Sequence, residues 1–69
     1  MKVRDVIFIL EANGFAEVRQ NASHRVFRGE VAGRLRVVVV AGHLSDDIPR
    51  GTLGSIKRQA CLPRHAWAP

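Results

Sequence analysis

Two strands and the turn between them are predicted by the stretch Arg19-Gln20-Asn21-Ala22-Ser23-His24-Arg25-Val26-Phe27-Arg28. The turn is the polar segment 21–23, in which Asn21 is the residue best suited to a positive φ angle. His24 follows the turn directly, and an imidazole can accept and release protons near neutral pH. Arginines lie on both sides of the turn, and a guanidinium group can grip two phosphate oxygens at once. The stretch therefore favours chemistry on a phosphodiester.

A third strand is predicted downstream by the nearly continuous apolar run from Leu35 to Val40. Its residues are mostly β-branched, which is typical of strands, and Ala32-Gly33 marks the hairpin connection that precedes it. Because the run does not alternate with polar residues, it predicts the central strand of a three-stranded antiparallel sheet with both faces buried.

Helical periodicity flanks the three predicted strands. Upstream, Val3, Val6, Ile7 and Leu10 have the i, i+3, i+4, i+7 spacing that predicts a helix near residues 2–13. Asn13-Gly14 supplies the residue types that end such a helix.

A second helix is predicted after Pro49, which suits the first helical turn. Leu53, Ile56 and Ala60 have helical spacing, and Leu62-Pro63 stops the helix. The residues beyond it have no periodicity, so we expect a frayed tail, with Trp67 folded back onto the sheet or docked against a partner as the alternatives.

The predicted order is α-β-β-β-α, an α+β fold in which a three-stranded antiparallel sheet is packed with two helices. We expect one domain over residues 1–69. Its predicted core consists of Leu10, Val18, Phe27, Val37, Leu53 and Ile56.

The composition favours a nucleic-acid partner. The net charge is +5, from 11 basic and 6 acidic residues, and a basic surface favours a polyanion.

A lone thiol, Cys61, fits a reducing intracellular setting. The apolar run 6–10 is too short to span a bilayer, so no membrane role is expected. The spacing of the three histidines and Cys61 predicts no metal site.

The candidate residue for phosphodiester chemistry is His24, although a surface histidine is weak evidence by itself. The basic residues that could contact a nucleic acid are Arg25, Arg28, Arg19, Lys57 and Arg58. Because side chains alternate along a strand, Arg28 shares the His24 face and Arg25 does not. Ser23 is better read as a turn-stabilising hydroxyl than as a nucleophile, and His43 as a loop residue, although both are retained as accessory candidates.

Several motifs, in this order, resemble those of the HicA toxin family. They are Asn13-Gly14-Phe15 after the first helix, Val18-Arg19-Gln20, Ser23-His24 and Phe27 around the turn, and then Ile48-Pro49-Arg50-Gly51-Thr52-Leu53, Ser55-Ile56 and Gln59-Ala60. The resemblance covers nearly all of residues 1–62 and leaves the tail, 63–69, outside.

The resemblance implies a cytoplasmic messenger-RNA interferase of a type II toxin–antitoxin system. The family fold is similar to a double-stranded-RNA-binding domain, which agrees with the order read from the periodicity. The family's catalytic histidine follows a Gly-Ser pair and matches His24, while His43 matches a second histidine found after the third strand. A HicB-type antitoxin is the implied protein partner, and no cofactor is implied.

Two residues depart from the family pattern, since Ala22 replaces a turn glycine and Cys61 replaces the glycine after the second helix. The leading interpretation is a metal-independent endoribonuclease that cuts messenger RNA with His24 as general base. The alternatives are a non-catalytic RNA-binding module on the same fold, or a weakened toxin that acts mainly in a repressor complex.

Overall fold

The computed structural model describes residues 1–68. The elements in chain order are α1 (Val3–Ala12), β1 (Ala16–Asn21), β2 (His24–Val31), β3 (Arg34–Ala41), α2 (Arg50–Ala60) and a 3-10 helix (Arg64–Trp67). The predicted α-β-β-β-α order and the α+β class are confirmed. Gly14, at φ +90°, follows the end of α1 as the Asn13-Gly14 pair predicted.

The sheet is antiparallel throughout, with the strand order β1-β2-β3. The central strand is therefore β2, and the prediction that β3 is central was wrong. In place of a fourth strand, Gln59 of α2 lies at the outer edge of β3, where its Oε1 accepts a hydrogen bond from the backbone N–H of Val39 at 3.2 Å. Only Val38 and Val40 of β3 are buried under the helices, whereas Leu35, Val37 and Val39 stay exposed, so the continuous apolar run does not mark a central strand.

Both helices pack on one face of the sheet. The buried apolar side chains of the strands are Phe27 of β2, its cross-strand partner Val38 of β3, and Val40 of β3. They meet α1 at Val3, Val6 and Leu10, and α2 at Ile56 and Ala60. Leu10, Phe27 and Ile56 were predicted in the core and are buried there, and Leu53 packs against it.

The other face of the sheet carries no helix, and it is called the open face below. Val37 of β3 points to it and remains 46% exposed, so the prediction that both faces of this strand are buried was wrong. Val18, in an irregularity of β1, is also exposed, so the prediction that Val18 and Val37 belong to the core was wrong. Among the described residues, both α-helices pack on the opposite face and leave this one uncovered.

Residues 64–68 are folded, contrary to the prediction of a frayed tail, while Pro69 at the end of that predicted tail lies outside the described residues. Trp67 is buried in the core cluster, with Leu62 and Ala66 packed against that cluster. Lys57 Nζ of α2 lies 5.9 Å from the centre of the Trp67 ring, within cation–π range. Within residues 1–68, no helix combines the length and apolarity required to cross a membrane.

Candidate functional site

The turn between β1 and β2 has two residues, Ala22 and Ser23, because Asn21 pairs with His24 as the last rung of the ladder. Ala22 adopts φ +55°. The prediction that Asn21 takes the positive φ angle was wrong, since its pairing with His24 keeps it in the strand. The next residue then has to make the turn, although it is an alanine.

His24 is exposed on the open face at the end of the sheet. Its cross-strand neighbours are Asn21 on β1 and Ala41 on β3. Within residues 1–68, no hydrogen bond or ion pair involves its imidazole ring. Both ring nitrogens are therefore available to a substrate.

His43 lies at the same end of the sheet. The ladder continues past Ala41, because the backbone N–H of Gly42 donates to the carbonyl of Ser23 at 3.0 Å. His43 is the next residue, so it stands beside the turn that presents His24. Sequence spacing left the separation of the two histidines open, and the strand pairing places both at the same end of the sheet.

The backbone of His43 is held by Asp46. The His43 N–H donates to Asp46 Oδ2 at 2.9 Å, and the Asp46 N–H donates back to the carbonyl of His43 at 2.9 Å. The same loop caps α1, because the N–H groups of Val3 and Arg4 donate to the carbonyls of Asp46 and Leu44 at 2.9 and 3.1 Å. The loop that carries His43 is thereby anchored to the N-terminus of α1.

Two of the predicted RNA-contacting arginines lie on the open face with His24. Arg19 pairs with Val26, two residue pairs along from the Asn21–His24 pair, so it is a diagonal neighbour of His24 with a Cα separation of about 7–8 Å. Arg28 is four residues from His24 along β2, or about 13 Å. Sequence reasoning preferred Arg28, and it could not have found the closer position of Arg19 without the strand register.

The other three predicted RNA contacts lie on the helix-covered side. Arg25 points to that face, where its Nη1 lies 3.5 Å from Glu17 Oε1 and its side chain is 21% exposed. Lys57 lies over the Trp67 ring, and Arg58 Nη2 donates to Ser55 Oγ at 3.1 Å. The structure does not bring these three residues together with His24.

The remaining side chains give no sign of a metal centre. Within residues 1–68, no group of three or more histidine, cysteine, aspartate or glutamate side chains is placed to hold a metal ion. Ser23 is half-buried in the turn, and Cys61 is exposed at the end of α2.

An α+β domain that exposes a histidine near arginines at one end of its sheet is typical of a candidate nucleic-acid-binding protein. The family model described as "HicA toxin of bacterial toxin-antitoxin" matches residues 3–62, from the start of α1 to just beyond α2. The chain therefore belongs to the HicA toxin family, as the sequence motifs indicated, and its membership implies an antitoxin partner. No curated protein and no solved structure matches it.

Proposed function

We propose that this toxin is a cytoplasmic, metal-independent endoribonuclease that cleaves messenger RNA, with His24 as the general base. The observation that carries the proposal is the exposed His24 ring, unpartnered within residues 1–68, with Arg19 diagonally beside it on the same face. A base and a cation at this spacing suit a phosphodiester whose nucleophile is already part of the substrate.

RNA supplies that nucleophile as its 2′-hydroxyl. Neutral His24 takes the 2′ proton while the 2′-oxygen attacks the adjacent phosphorus and the 5′-oxygen leaves. The products are a 2′,3′-cyclic phosphate and a 5′-hydroxyl. General-base catalysis of this kind contributes typically ~10²–10⁴-fold in rate.

Arg19 and Arg28 offset the phosphate charge in this scheme, with Arg19 nearer the reacting group. His43 in its protonated form donates the proton to the departing 5′-oxygen. Its position at the same sheet end, with its backbone held by Asp46, supports this assignment. Ser23 contributes only through the turn.

Ala22, which replaces the turn glycine of the family pattern, is relevant to the alternative that this chain is a weakened toxin. Ala22 adopts the positive φ angle itself, and the Asn21–His24 pairing is kept. The replacement of glycine therefore costs stability without moving His24 out of the ladder. This favours the active enzyme over the weakened toxin.

The decisive experiment compares purified wild-type chain, His24→Ala and His65→Ala on a messenger-RNA fragment in the presence of EDTA. His65 is exposed in the 3-10 helix and serves as the matched control. We expect cleavage by the wild type and by His65→Ala, and a loss of about 10²-fold or more in His24→Ala. Substrate with a 2′-O-methyl group at the cut should remain intact.

RNA binding is measured on the same three proteins. Retained binding by His24→Ala separates catalysis from affinity. Cleavage by His24→Ala at the wild-type rate contradicts the proposal and favours a non-catalytic RNA-binding module.

A HicB-type antitoxin is the proposed inhibitor, and it would mask His24 by placing carboxylates against the cations of the open face. Arg25→Glu and Arg28→Glu test this placement, since the two arginines lie on opposite faces of β2. We expect Arg28→Glu to weaken antitoxin binding more than Arg25→Glu does, most strongly at low salt. Equal effects would contradict masking from the open face.

A further inference from the structure

The open face has an apolar half that the proposed cleavage reaction does not use. It is formed by Leu35, Val37 and Val39 of β3 and Val26 of β2, here called the apolar stripe. The first three are 59%, 46% and 43% exposed. Cross-strand pairing joins Val26 to Val39, so the stripe is continuous across the two strands.

RNA does not account for this stripe. Proteins bind single-stranded RNA through phosphate-binding cations and through aromatic or guanidinium groups that stack on bases. Valine and leucine side chains offer neither a donor nor a π face. A contiguous exposed apolar patch instead marks a surface that another protein covers.

A second copy of this chain fits the surface poorly. Around the stripe lie Arg19, Arg28 and His24, against one carboxylate, Glu30, which pairs with Leu35. Two copies facing each other would bring these cations together, and each chain carries a net charge of +5. The charge favours an acidic partner.

The edges of the sheet are less suited to a partner than its face. On β3, the outward-pointing N–H of Val39 already donates a hydrogen bond to Gln59 Oε1. The opposite edge strand, β1, has a register irregularity between Glu17 and Arg19, and such bulges disfavour the addition of another strand.

We propose that the antitoxin docks face-on upon the apolar stripe, covering it with an apolar surface flanked by carboxylates that meet Arg19 and Arg28. This inference rests on the proposed antitoxin partnership. Leu35 lies six residues along β3 from Ala41, the cross-strand neighbour of His24, or about 20 Å away. Leu35 and Val37 lie at the end of the stripe farther from His24, so substituting them should change antitoxin affinity without removing a residue proposed for RNA cleavage.

The test uses the double variant Leu35→Ser/Val37→Thr, which removes apolar surface and keeps a β-branched residue at position 37. Phe8→Ser is the matched control, because Phe8 is 72% exposed on α1, on the other side of the molecule. The probe is the protein encoded by the reading frame adjacent to the toxin gene. Its dissociation constant is measured by calorimetry, and RNA cleavage is measured separately with and without it.

We expect the double variant to bind the probe about tenfold or more weakly, because it loses apolar contacts at the centre of the interface. It should cleave RNA at the wild-type rate and resist inhibition, while Phe8→Ser behaves like the wild type. Unchanged affinity in the double variant, or no binding of the probe to the wild type, overturns the docking proposal.

The docking proposal and the proposed ribonuclease activity are tested by different measurements, so either one can be contradicted without the other. A wild-type chain that binds the probe but does not cut RNA contradicts the ribonuclease alone, because the binding constant is read without RNA. Amide chemical-shift mapping on the wild-type complex gives a second reading that does not depend on the variant's folding. Perturbation at residues 35–39 supports the proposal, and perturbation confined to the helices overturns it.

Discussion

Three non-glycine residues have positive φ angles among the described residues: Ala22, Ala32 and Cys61, at 55°, 52° and 54°. Ala22 and Cys61 are the positions at which the family resemblance implies glycine. Cys61 caps α2 in the left-handed conformation, and its N–H donates to the carbonyl of Lys57 at 3.1 Å. At both positions the backbone adopts the left-handed conformation although the residue is not glycine. Each such residue costs roughly 1–2 kcal/mol of stability.

Ala22→Gly should therefore stabilise the fold. Relief of the left-handed strain, roughly 1–2 kcal/mol, exceeds the roughly 0.5–1 kcal/mol that glycine costs in chain entropy. We expect a gain of about 0.5–1 kcal/mol in the free energy of unfolding, measured by urea denaturation. Ala41→Gly, in a strand position without positive φ, is the control and should lose stability. A loss of equal size in both variants would contradict the strain at Ala22.

Gly29 is required for a different reason, which is a close contact. A Cβ built on Gly29 would lie 2.7 Å from Cγ of Phe15, whose ring covers this point of β2. Phe15 is buried and cannot move away without loosening the core. Gly29→Ala should destabilise the fold by about 1–3 kcal/mol.

Gly51→Ala is the control for that substitution, since nothing lies within 4 Å of a Cβ at this position in α2. It should be neutral or stabilise the fold by up to about 1 kcal/mol, because alanine is the better helix former. Chemical denaturation of both variants measures the difference. A Gly29→Ala variant as stable as Gly51→Ala would mean that Phe15 does not pack against β2.

Among the elements, the 3-10 helix was the least expected. Four residues without apolar periodicity gave no sign of a folded segment, yet they bring Trp67 into the core cluster. α2 ends at Ala60 with Cys61 as its C-cap, and Pro63 is the N-cap of the 3-10 helix that places Trp67 beside Lys57. The tail is thus part of the helical layer that covers the sheet.

Trp67→Ala should destabilise the fold by about 3 kcal/mol or more, because a buried indole leaves a large cavity. In a domain of this size such a loss removes much of the stability. A thermal melt measures it, with His65→Ala, an exposed neighbour in the same 3-10 helix, as the control. An unchanged melting temperature in Trp67→Ala would restore the prediction of a frayed tail.

The whole molecule is a two-layer structure, with helices on one face of the sheet and a cationic and apolar surface on the other. Its net charge of +5 is shared between the two sides, as the opposite orientations of Arg25 and Arg28 show. Total charge therefore overstates the number of cations that can act beside His24. Under the proposed function, only those on the open face are expected to contact RNA.

The salt dependence of RNA binding tests this division. With a 2′-O-methyl RNA that cannot be cut, affinity should fall as salt is raised, because bound phosphates release counterions. Arg28→Gln should reduce the logarithmic salt slope by about 0.7, the value for one phosphate contact on a single strand. Arg25→Gln is the control and should leave the slope unchanged. A larger loss of slope in Arg25→Gln would place the RNA on the helix-covered face.

The sequence by itself determined the class of fold, the order of the elements, the family and the candidacy of His24. These follow from local signals: the spacing of Val3, Val6 and Leu10, the turn beside His24, and motifs that are read along the chain. The tertiary structure alone decided that β2 is central, that Val37 faces outward, that Trp67 is buried and that Arg19 stands closer to His24 than Arg28. Each of these depends on contacts between residues distant in the chain. Periodicity gives a strand two faces, but only the packing of other elements determines which face is covered.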